Sequence, residues 1–135
     1  MGAWGIKALE NDTALDWVAG LTDEEDAYII QEALNVIEEA GAEEIDVSEA
    51  EEALAACEVI ALLQGNSDGD SDYEDVEAWV KSVSFKVSRE LLEKAHRVID
   101  RILTHPSELY DLWEESDDLD EWKKEMMALK ARIQI

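Results

Sequence analysis

An all-α fold, a compact single-domain bundle of six or seven helices with short connections, is what this sequence predicts. Three observations support it. Apolar residues recur at steps of three and four along most of the chain, capping residues stand ahead of those runs, and no two segments alternate well enough to pair as strands. The chain's 135 residues suit one hydrophobic core, so 1–135 is read as a single helical domain.

The elements follow in order. Asn11 or Asp12 caps a short helix over 13–19, which Gly20 is expected to end. Thr22 and Glu25 have capping-box spacing and open a longer helix with Ala27, Ile30, Ala33, Leu34 and Ile37 on one stripe, closed by Gly41. Ser48 and Glu51 repeat that spacing before a helix whose inner face is Ala50, Ala53, Leu54, Cys57, Ile60 and Ala61, stopped by Gly65. Residues 65–70 read as a loop, and Ser71 with Glu74 opens a helix carrying Val76, Trp79, Val80 and Val83. The alternation over 83–87 has no partner strand, so it reads as an extended connector.

Ser88 caps the most regular helix, with Leu91, Leu92, Ala95, Val98, Ile99, Ile102 and Leu103 inward. Pro106 suits the first position of a new helix running from Ser107 to about Ser116, with Leu109, Leu112 and Trp113 inward. Leu119, Trp122, Met126, Leu129 and Ile133 then form an a/d seam that packs against another helix.

Charge is the strongest functional signal. The chain has 35 acidic and 11 basic residues and a net charge of −24, and no lysine or arginine occurs between Lys7 and Lys81. The first 80 residues carry a net −22 and the remainder only −2. Such a field repels nucleic acid phosphates and anionic membranes, so direct binding to either is not expected and the natural partner is basic. Cys57 is the one cysteine, which excludes an intrachain disulfide and four-thiolate metal sites and suits a reducing cytoplasm. The N-terminus shows no secretion signal and no apolar run approaches a membrane span, so a cytoplasmic location is expected.

Gly2, Ala3, Trp4 and Gly5, followed by the run from Asn11 to Trp17, resemble the opening of a bacterial family of small proteins, domain of unknown function family 4259. The run from Ser107 to Glu115, with Trp122, Leu129, Ala131 and Arg132 downstream, is similar to that family's C-terminal pattern. Residues 6–9 depart from it, with Ile, Lys, Ala and Leu where the family usually has Thr, Gly, a variable residue and Phe. The resemblance implies a small bacterial cytoplasmic protein and carries over no reaction, cofactor or catalytic residue.

Candidate chemistry is thin. Trp4, Gly5 and Asn11 are accounted for as core volume, a tight turn and a helix cap. The acidic run 66–75 invites a calcium reading, but with Gly69 at the turn the first and twelfth places are Gln64 and Asp75, where an aspartate and a glutamate are required. Glu93 and His96 have the spacing of half a di-iron site, which needs the motif twice; His105 has Ile102 three residues before it, so an ordinary surface pair is expected at 93 and 96. Cys57 sits on an apolar face, where a thiol is inert filling. No enzyme, cofactor or metal is assigned.

The function expected is that of a small acidic binding protein of the immunity or antitoxin type, which neutralises a basic toxin or nuclease by presenting carboxylates to its cationic cleft. Asp68, Asp70, Asp72, Glu74 and Asp75 form the expected contact patch, with Glu49, Glu51 and Glu52 as a second. Two alternatives are a structural or regulatory helical protein whose acidity serves solubility, and a weak divalent-cation module. The sequence leaves the oligomeric state open.

Overall fold

Seven helices account for most of the described residues in the computed structural model, and no strand element occurs among them. The described residues are 5–24, 28–66, 74–83 and 86–135, with side chains described for all but 22–24 and 74–75. The order is α1 (Asp12–Glu24), α2 (Tyr28–Ala40), α3 (Val47–Leu63), α4 (Glu74–Ser82), α5 (Arg89–Ile102), α6 (Glu108–Glu114) and α7 (Leu119–Arg132). Asp68, Asp70 and Asp72, the expected cap Ser71, Glu25, Ala27, Trp4 and the middle of the 83–87 connector lie outside the described residues.

The centre of the molecule is α3, which touches every other helix. Every residue from Ala53 to Ala61 is buried. The expected inner face is indeed buried, but so are Ala55, Ala56 and Val59 on the other sides, because a helix apolar all round lowers its free energy only by complete burial. Its alanines keep the surface thin enough for neighbours to approach from all directions. Around it lie the stripes read from the sequence: Ile30, Leu34 and Ile37 of α2, the whole α5 face from Leu91 to Ile102, and Trp122, Met126 and Leu129 of α7 with Ile133 just beyond.

Several boundaries differ from expectation, each for a local reason. Gly20 does not end α1, which runs on to Glu24 and fully buries Leu21 beside Ala14 and Val18. Burying a leucine stabilises by about 2 kcal/mol, more than the roughly 1 kcal/mol that a helical glycine costs. Thr22 therefore lies inside α1 and does not open α2. The cap of α3 is Asp46, not Ser48: its carboxylate accepts from the backbone N–H groups of Ser48 (3.0 Å) and Glu49 (3.1 Å). Glu51 turns into the protein instead of reaching back to a capping serine.

Pro106 precedes α6 and does not begin it; Ser107 is the cap, and Leu112 is half-buried where Leu109 and Trp113 are buried. Gly41 and Gly65 end α2 and α3 as expected, with φ of +56° and +79°. Asn11 caps α1, accepting from the Ala14 N–H at 2.7 Å, and Ser88 caps α5.

Two clasps join distant parts of the chain. Ile45 forms an isolated parallel bridge with Ser107, its N–H donating to the Pro106 carbonyl and its own carbonyl accepting from Glu108. Arg101 reinforces that junction by donating to the carbonyls of Gly41, Glu43, Thr104 and Pro106 at 2.7–3.0 Å. At the other end, Gln64 donates to the Gln134 carbonyl and accepts from the Gln134 N–H, while Asn66 donates to the Arg132 carbonyl.

Candidate functional site

The exposed side of α2 repeats at helical spacing. Tyr28, Glu32, Asn35, Val36 and Glu39 follow one another along the face opposite the Ile30, Leu34 and Ile37 stripe. With Trp17 of α1 and Glu52 of α3 they line a groove of about 420 Å3 floored by Ile29 and Ala33. Tyr28 is 56% exposed and Val36 39%, two of the four large apolar side chains most open to solvent among the described residues. Glu32 and Glu39 are seven residues apart, so they stand about 10 Å from each other along the helix axis.

No lysine or arginine of the described residues pairs with Glu32, Glu39, Glu49 or Glu52. Several cations of the second half are engaged elsewhere. Arg97 binds Glu38 through two hydrogen bonds (2.9 and 3.2 Å), Arg132 binds Glu58, Lys130 binds Asp100, Arg89 binds Glu93, and Arg101 binds backbone carbonyls. Lys94 reaches the groove's edge, where it donates to Asn35 at 2.6 Å. The near-neutral half thus spends much of its positive charge inside the molecule, and the acid-rich half keeps its negative field.

Carboxylate energetics differ from place to place. The Arg97 hydrogen bond holds the Glu38 carboxyl below its ordinary range. Glu52 is pushed the other way, first by partial burial and then by the negative charges of Glu49 and Asp46. Burial also raises Glu51, against a hydrogen bond from Thr13 that favours its charged form.

Of the expected contact residues, Glu74 and Asp75 begin α4, Glu49 is exposed on the first turn of α3, Glu52 lines the groove, and Glu51 is 8% exposed. Glu52 therefore joins Glu32 and Glu39 in the groove, Glu49 stands exposed one turn before it on α3, and Glu51 faces the interior. Clustering in the sequence does not single out Glu32 and Glu39; the signal that does is their spacing on the polar side of the Ile30 stripe.

Other candidates resolve into structure. Gln64 and Asn66, offered to a calcium ion by the loop alignment, are taken up by the clasp to 132–134. Glu93 and His96 do not pair: Glu93 bonds Arg89, and a His96 ring nitrogen meets the Ile133 carbonyl at 2.6 Å. Cys57 is fully buried, which pushes its thiol far above the usual range and keeps it unreactive. The cavity beside Asn11, Glu51, Trp113 and Trp122 offers about 10 Å3, room for one water and no substrate.

No helix among the described residues is long and apolar enough to cross a membrane. No curated protein and no solved structure matches the chain. A family profile does match, over residues 2–125, which takes in both the opening motif and the pattern around α6. The chain therefore belongs to the family described as Domain of unknown function (DUF4259).

Proposed function

We propose that this is a binding protein of the immunity or antitoxin type, which acts in the bacterial cytoplasm by docking its acidic face onto a basic toxin or nuclease. The observation that carries the reading is the groove beside α2, where carboxylates without internal cationic partners border exposed Tyr28 and Val36. Apolar groups inside a charged rim are the usual anatomy of a protein interface, and the carboxylates replace the phosphates that a nuclease cleft is built to hold. Long-range attraction speeds encounter, and the tyrosine and valine contribute short-range affinity.

The test is binding to a basic protein captured from the native cell and then purified. Its association rate is expected to fall steeply with added salt and to fall again when Glu32 and Glu39 are both changed to lysine. An affinity insensitive to both changes refutes the reading.

A further inference from the structure

The loop between α5 and α6 carries a constellation outside the acidic face. His105 Nδ1 lies 3.0 Å from Asp111 Oδ1, and its Nε2 lies 3.6 Å from Glu114 Oε2. One ligand atom from each of the three residues can be chosen so that all lie within 4.8 Å of one another. Asp111 and Glu114 are three residues apart on α6 and so project from one side of it. The imidazole arrives from the preceding loop and is held in place. Its ring meets the edge of Tyr110 at 4.5 Å, and the backbone on either side is tied to Arg101 through the Thr104 and Pro106 carbonyls.

We propose that His105, Asp111 and Glu114 form a binding site for a divalent transition metal of the zinc class. Zinc accepts one imidazole nitrogen and carboxylate oxygens at about 2.0–2.2 Å, which places tetrahedral donors about 3.3 Å apart. The Asp111 contact is close to that spacing, and both carboxylates are about half exposed, so a small side-chain rotation closes the rest. Three protein donors leave the fourth position to water. Calcium and magnesium, which take six or more oxygens, are poorly served by a single histidine. A chain of net charge −24 also concentrates cations at its surface. The site escapes a sequence search because the carboxylates follow the histidine by six and nine residues, across a turn, and not by a helical step.

The experiment is calorimetric titration of the intact protein with zinc chloride at about 150 mM salt, where diffuse binding to surface carboxylates is screened. His105 imidazole resonances are followed by NMR in parallel. One equivalent is expected to bind with a shift at His105, and His105→Ala, or Asp111→Asn with Glu114→Gln, is expected to weaken binding by about tenfold or more. Glu32→Gln with Glu39→Gln serves as the carboxylate control and is expected to bind as the parent does. Equal zinc affinity in His105→Ala, or displacement by equimolar calcium, overturns the proposal and leaves His105 as a histidine hydrogen-bonded between two acids. The side chain of His105 is 54% exposed, so its loss does not threaten folding.

Discussion

Replacing Arg132 by methionine is expected to be among the most damaging single changes outside the apolar core. Arg132 Nη1 and Nη2 bind the two oxygens of Glu58 at 2.7 and 3.0 Å, and Nη1 also donates to the Asn66 carbonyl at 3.2 Å. Glu58 projects from the central helix with 9% of its side chain exposed, and that of Arg132 is 19% exposed, so solvent cannot replace the guanidinium. Methionine fills much of the space but leaves a buried carboxylate without a cation, which costs about 3–5 kcal/mol.

The unfolding entropy of a chain this long is about 0.3 kcal/mol/K near the transition, so a loss of 3 kcal/mol lowers Tm by about 10 °C. Differential scanning calorimetry at neutral pH reads this directly. Changing Glu58 to leucine in the same chain is expected to recover most of the loss, to within about 1 kcal/mol of the parent, because two matched apolar groups remove the unpaired charge. A single variant that loses under 1 kcal/mol, or a double variant no better than the single, refutes the reasoning.

Gly20→Ala is expected to stabilise by about 0.5–1 kcal/mol in chemical denaturation, since Gly20 is helical and an added Cβ meets nothing within 4 Å. Gly41→Ala is expected to destabilise by about 1–2 kcal/mol, because its φ of +56° is strained for any residue with a Cβ, and the same denaturation curves check it. Glu51→Gln is expected to raise Tm at pH 7. Folding raises the Glu51 pKa from 4.5, so the parent is favoured while that carboxyl is protonated and loses stability as pH climbs through the folded value. The advantage of glutamine should therefore disappear below pH 4.5, and a Tm difference that is flat with pH contradicts the assignment.

Periodicity revealed most of this fold because burial was its cause. Most of the α5 face, the α7 seam and the α2 stripe is buried as its spacing predicts, with Leu103, Leu119 and Ala33 only half-buried at their edges. Boundaries were less legible, since capping competes with packing. The burial of Leu21 carried α1 through a glycine, and Asp46 captured the start of α3 two residues before the serine with the familiar spacing. Clasps such as Ile45 with Ser107, or Gln64 with Gln134, join residues about sixty or seventy apart and leave no local trace. The acidic half was visible as composition, but its geometry was not: which of Glu49, Glu51 and Glu52 faces outward depends on α3 being enclosed on all sides. The same holds for His105, whose acidic neighbours are set by the turn before α6.

The most direct measurement of the central claim is the dissociation constant for the purified basic partner at about 50 and 300 mM salt, for the parent and for Glu32→Lys with Glu39→Lys. Electrostatic docking at the α2 groove predicts a loss of about tenfold or more with salt, a comparable loss in the double variant at low salt, and a weaker salt dependence in that variant. Equal affinities across all four conditions would show that the partner contacts some other part of the molecule and that the negative field plays no part in binding.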